Sequence, residues 1–281
     1  MVRETSNNEP EPAPTAALTT AEVACMLNRA DIILTRGGGL VSRVIQRFTG
    51  SHWNHAAMVF VLSDAASGSQ QGYQSTFILE AEAQGIDVHP IDKYLYREHR
   101  DMVLLRFPDS ILGFPESSDP AKQRRAFRRR VRGFAFEEID ATYAYGTFLR
   151  VGEKILGPLG CLLKPAIRAV KVAGSFDRKK AINAFVCSGV VQYAYYRACY
   201  GADAGSGAFW NDFFQQGDNR GNLIVNAEMR AAFDPSATFD AVAEQLKLTT
   251  PADFARAAQA NLLECVAERV KGVWRRELTQ V

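Results

Sequence analysis

Cys187 is followed by Ser188, Gly189 and the apolar pair Val190-Val191, which places a thiol at the start of a helix. A thiol there meets the positive end of the helix dipole and backbone N–H groups that the helix leaves unpaired. Both favour the thiolate, and the thiolate is the nucleophile. The same N–H groups can hold an oxyanion. Imidazole suits a thiol as its base, because its unperturbed pKa is about 6.5. His55 opens the run His55-Ala56-Ala57-Met58-Val59-Phe60-Val61-Leu62, so it stands at a strand end beside small residues that permit close approach. Glu80 ends Thr76-Phe77-Ile78-Leu79-Glu80. A carboxylate that accepts from one ring nitrogen would fix the tautomer and stabilise imidazolium. Glu82 shares that strand face by alternation and competes for the role. His52 precedes His55 by three residues, but no third ligand has metal-site spacing, so neither a metal nor an organic cofactor is expected. Taken singly, each of these residues also has a bland reading: a buried small side chain, a structural histidine, a solvated strand-end carboxylate.

The elements around these residues follow from periodicity. Thr19 or Thr20 caps a short helix over residues 19–28, with Glu22 in its first turn. Residues 31–35 read as a short apolar strand that stops at Gly37, Gly38 and Gly39. Leu40, Val44, Ile45 and Phe48 recur at helical spacing. Strands are expected from His55, over 76–81, over 86–90 and over 101–107, joined by short turns in a meandering antiparallel sheet. Lys122 to Arg132 carries seven basic residues on a helix that Gly133 could cap. Val186, Val190, Tyr193 and Ala194 keep helical spacing after Cys187. Residues 211–226 are polar and read as loop. Thr249-Thr250-Pro251-Ala252-Asp253 is a helix start.

In order, the chain reads Asp31-Ile32-Ile33-Leu34-Thr35-Arg36, then Ser42 and Ile45, then Thr49-Gly50-Ser51-His52-Trp53-Asn54-His55, then Leu79-Glu80-Ala81, Gly85-Ile86 and, much later, Phe185-Val186-Cys187-Ser188. This order resembles the circularly permuted branch of the NlpC/P60 papain-like superfamily, the YiiX/YaeF-like group, in which the histidine precedes the cysteine helix. The resemblance spans residues 30–200, with a weaker echo at Thr250-Pro251-Ala252-Asp253-Phe254. It implies an α+β, circularly permuted papain-like fold with an antiparallel sheet packed against the cysteine helix. By that resemblance Cys187 matches the nucleophile, His55 the base and Glu80 the orienting residue. The implied reaction is thiol-mediated acyl transfer to water, on a peptide or isopeptide amide or on a lipid ester. A lipid acyltransferase or phospholipase-like enzyme is the first alternative. A non-catalytic binding module of the same fold is the second, and the intact Cys-His-Glu set argues against it. The chain departs from the family pattern in two places. Residues 147–180 are longer than the core requires, and Asp140 precedes Tyr143 and Tyr145, the reverse of the family's Tyr-Asp order.

Composition bounds the rest. The 281 residues carry 33 basic and 31 acidic side chains, a formal net charge of +2, which argues against wholesale binding of nucleic acid. Five scattered cysteines fit neither a disulfide framework nor a zinc finger and suit a reducing, cytoplasmic setting. The first residues lack a basic stretch leading into an apolar run, so no secretory signal is expected. No apolar run is long enough to span a bilayer. Residues 1–18, with Pro10, Pro12 and Pro14, read as a disordered tail. The catalytic domain is expected over 19–215, with an insertion over 147–180, and a helical extension over 216–281. The basic run reads first as a solvated helix face and second as a peripheral contact with an anionic membrane. Leu149, Gly152, Leu156, Leu159 and Leu163 read first as packing or a groove cover and second as an interfacial segment near a lipid substrate.

Overall fold

Among the described residues, seven strands form one antiparallel sheet in the order β4-β3-β2-β1-β5-β6-β7. They are β1 (Ile32–Thr35), β2 (His55–Val61), β3 (Phe77–Glu82), β4 (Gly85–Pro90), β5 (Met102–Arg106), β6 (Glu264–Val270) and β7 (Val273–Arg275). The computed structural model describes residues 17–38, 40–61, 76–82, 85–95, 100–112, 119–138, 187–200, 220–234 and 236–279. The chain is thus an α+β protein with an antiparallel sheet and packed helices.

β1 is central, and all four of its residues are buried. Its unbroken apolar run suits a strand covered on both faces. Ile32, Leu34, Ala56, Met58, Leu79, Val103 and Leu105 pack against a helical layer. That layer holds α5 (Pro120–Glu137), α6 (Cys187–Tyr200) and α9 (Pro251–Gln259). The alternate residues Ile33, Ala57, Val59, Ile78, Met102 and Leu104 face the other way. They meet Val23 of α1 (Thr20–Met26), Tyr94 and Leu95 of α3 (Asp92–Leu95), and Trp274. α2 (Leu40–Thr49) connects β1 to β2, and α4 (Asp109–Leu112) lies between β5 and α5. The short α7 (Ala227–Ala231) and α8 (Phe239–Leu246) lie between α6 and α9 in the chain.

Polar groups fix the ends of these elements. Of the two candidate threonines it is Thr19 that caps α1, in a capping box with Glu22. Thr250 and Asp253 do the same for α9. Asp31, 1% exposed, accepts from Arg106 Nε at 2.8 Å and Nη2 at 2.7 Å and from the Asn28 N–H at 2.6 Å. This ties the start of β1 to the end of β5. Tyr195 of α6 donates its hydroxyl to the Ala30 carbonyl, joining the cysteine helix to the same corner.

Three expectations change. The region after residue 216 is not helical throughout, because β6 and β7 extend the sheet beyond β5. Their signal is hidden by Glu268 and Arg269, which are charged yet each 1% exposed. Arg269 is satisfied by the carbonyls of Tyr94, Leu95 and Arg100 and lies over the Trp274 ring. Gly133 does not end α5, which runs on to Glu137. Glycine inside a helix costs about 1 kcal/mol, and burial of Phe134 and Ala135 overrides it. Within 211–226, Arg220–Leu223 forms a 3-10 turn instead of open loop. Residues 1–16 of the expected tail, the expected insertion over 147–180, and Tyr143 and Tyr145 lie outside the described residues.

Candidate active site

Each candidate residue is set by a different element. Cys187 is the first residue of α6, which packs on β2 and β3. His55 is the first residue of β2. Glu80 lies inside β3, where it pairs in register with Ala57. Since Ala57 and His55 share a face of β2, Glu80 is the diagonal neighbour of His55, within reach of a long side chain. The structure brings all three residues together.

Glu80 is fully buried and saturated with donors. Its Oε2 lies 2.6 Å from His55 Nε2 and accepts a short hydrogen bond from the Tyr94 hydroxyl. Its Oε1 accepts from Lys93 Nζ at 2.7 Å, with His89 Nε2 at 3.8 Å. Burial alone would raise the Glu80 pKa, but the bond to His55, its charge, and the bonds from Lys93 and Tyr94 hold it down at about 2. Glu80 is therefore a carboxylate that cannot take the imidazole proton at neutral pH.

Glu80 occupies Nε2 of His55, so Nδ1 is the ring nitrogen left for the thiol. His55 and Cys187 are hydrogen-bonded side chain to side chain. Burial opposes charge on His55, but the neighbouring Cys187 and Glu80 outweigh it and raise its pKa to about 10. Burial likewise opposes charge on Cys187. The imidazolium, its hydrogen bond, and the backbone N–H groups of Ala56 and Ser188 overcome this and hold the thiol below its ordinary range. Both shifts run in the direction that favours a thiolate beside an imidazolium. The contrast with other cysteines is sharp: burial and the nearby Glu268, Glu264 and Glu277 push the Cys265 thiol up to about 12, and burial also pushes up Cys199.

The start of α6 is held by the C-terminal region. Ser188 donates Oγ–H to the Thr249 carbonyl at 2.6 Å. A Cβ on Gly189 would stand 2.6 Å from the Lys247 carbonyl oxygen, so only glycine allows this approach. Further along α6, Gln192 bridges the Leu223 carbonyl and the Val225 N–H. At the opposite edge, Asn54, one residue before His55, pairs with both backbone groups of Gly37 at 2.9 and 3.1 Å.

The remaining candidates fall elsewhere. His52 engages Asp101 at 2.8 Å, so the two histidines serve different carboxylates. The Glu82 side chain lies outside the described residues. Among the described residues no group of three or more His, Cys, Asp or Glu is placed to hold a metal ion. Lys93 and Tyr94, which hold Glu80, were not legible as site residues, because a short Asp92-Lys93-Tyr94-Leu95 turn carries no motif. The backbone donor at Ala56 was also invisible, since any residue type supplies an N–H.

No protein-family model matches the chain, and no curated protein sequence matches it significantly.

Proposed function

We propose that the protein is a cysteine hydrolase that cleaves an amide or ester through Cys187, His55 and Glu80. One observation carries this reading: a thiol at a helix start is hydrogen-bonded to a histidine whose other nitrogen lies 2.6 Å from a buried carboxylate. The order His55, Glu80, Cys187 along the chain supports a circularly permuted papain-like fold.

The Cys187 thiolate would attack the substrate carbonyl carbon, forming a C–S bond while the carbonyl π pair moves to oxygen. Backbone N–H groups at the start of α6 would hold that oxyanion. Collapse of the adduct breaks the C–N or C–O bond, and the imidazolium of His55 delivers its proton to the leaving group. The now neutral His55 takes a proton from water, whose oxygen attacks the thioester. The thiolate departs as the acid product is released, and the proton on His55 restores the starting pair. Glu80 stays ionised throughout, because it is held at about 2. Its task is to orient the ring and stabilise its charge.

Mapping of iodoacetamide adducts across pH tests the nucleophile. Cys187 labels at neutral pH faster than Cys199 and Cys265, with exposed Cys25 as the accessible reference. Labelling of Cys187 no faster than Cys199 would remove the basis for the reading. A Cys187→Ala variant should lose all turnover in a screen of amides and esters, and a variant of full activity would overturn it.

A further inference from the structure

α5 has two unlike faces. Phe127, Val131, Phe134 and Ala135 are buried against the molecule. Opposite them, Lys122, Arg125, Arg129, Arg132 and Phe136 recur at steps of three and four residues. That spacing places them on one stripe, about 100° wide and ~21 Å long. Lys122, Arg125 and Arg129 are exposed, Arg132 is half-buried, and Phe136 is 60% exposed. Other cations of the helix have partners: Arg124 meets Asp109 at 2.7 Å, and Arg128 donates to Asn28 Oδ1 at 3.0 Å. Among the described residues no carboxylate pairs with the four cations of the stripe. They are crowded by like charge instead: burial, then Arg29 and Arg129, weaken the hold of Arg132 on its proton. The Arg132 guanidinium lies 5.9 Å over the Phe60 ring, and its Nε is buried without an acceptor among the described residues. Phe60 in turn stacks on Phe136, with centroids 6.0 Å apart and planes 6° from parallel.

Gathering like charges beside an exposed aromatic ring costs stability within the monomer. A surface that supplies many anions over an apolar layer repays both. We propose that this stripe docks the protein on an anionic phospholipid surface, with Phe136 entering the headgroup layer. Each cation gains from the negative surface potential, and the ring finds the environment that interfacial aromatics favour. A nucleic-acid duplex would use the cations but offers Phe136 no apolar layer, and a single strand, whose bases could stack on the ring, is an outcome the test separates.

This docking does not depend on thiol chemistry, so it is measured on the Cys187→Ala variant. Co-sedimentation uses phosphatidylcholine vesicles with and without phosphatidylglycerol. Binding is expected only to the anionic vesicles and falls away at high salt. Replacing Arg125 and Arg129 together with glutamine weakens it about twenty-five-fold, about fivefold for each arginine. An equal charge loss off the stripe, Arg275→Gln with Arg276→Gln, leaves binding nearly unchanged. Phe136→Ala weakens it without changing its salt dependence. No binding to anionic vesicles at low salt overturns the proposal. So does an equal loss in the two double variants, or retention on heparin and single-stranded DNA without any on vesicles.

Discussion

Gly189, two residues past Cys187, packs directly on the main chain of Lys247, where an added Cβ would lie 2.6 Å from the carbonyl oxygen. The contact is backbone against backbone, so no side chain can rotate away to relieve it. With the Ser188 to Thr249 hydrogen bond, it sets the position of the helix start that carries the thiol.

Gly189→Ala should therefore shift the first turn of α6 away from residues 247–249. Overpacking of this kind costs about 1–3 kcal/mol, read as a lower thermal midpoint. The specific outcome is a slower reaction of Cys187 with iodoacetamide in the folded variant, because the thiol moves from the Ala56 N–H and from His55. A variant with wild-type midpoint and wild-type labelling would show that the contact does not position the thiol.

The thiolate–imidazolium pair predicts a distinctive pH profile. Alkylation of an ordinary thiol rises through a pKa of about 8.5. Cys187 lies below that range, so its labelling rate should stay level through neutral pH and fall only on acidification. Hydrolysis also needs the proton on His55, which is held up to about 10, so turnover should decline on the alkaline side near that value. A labelling profile with one ordinary thiol titration would contradict the pair.

Glu80 makes stability depend on acid. Its folded pKa of about 2 lies under its ordinary 4.5. The resulting stabilisation is fully present above 4.5 and disappears as pH falls toward 2, an effect of ~3 kcal/mol. Urea unfolding over that interval should show the loss, and Glu80→Gln should remove that part of it. The same variant lowers the His55 pKa, so the alkaline limb of turnover moves to lower pH and kcat/KM falls roughly 10²-fold. An unmoved alkaline limb would show that Glu80 does not act through the imidazole.

The site was readable where residue type itself carries the chemistry. A cysteine at a helix start and a histidine at a strand start obey short-range rules; the glutamate, expected at a strand end, lies two residues inside β3, and the structure joins the three. The strands β1 to β5 were readable for a similar reason, since apolar runs and turn residues alternate cleanly there. What stayed hidden depends on contacts distant in sequence. Arg269 looks like a surface residue until the carbonyls of Tyr94 and Leu95 are brought to it, and β6 is disguised with it. Lys93 and Tyr94 become site residues only when α3 folds back over β3. Gly133 reads as a stop signal because its neighbours' burial on α6 is a tertiary fact.

The Asp31–Arg106 pair offers a test of the corner that supports the site. The two side chains form a two-pronged ion pair, with Asp31 1% and Arg106 18% exposed. Removing one partner of a buried pair costs about 3–5 kcal/mol, mostly from the charge left behind. Asp31→Ala should lower the thermal midpoint by roughly 10 °C, and Asp31→Ala with Arg106→Met should recover most of it. Because the pair sits at the start of β1, while Thr35 at the other end pairs with His55, the folded fraction of both variants should keep the wild-type labelling rate of Cys187. Scanning calorimetry and adduct mapping read the two effects separately. A double variant as unstable as the single one would mean that Asp31 acts through the Asn28 N–H and the chain turn rather than through Arg106.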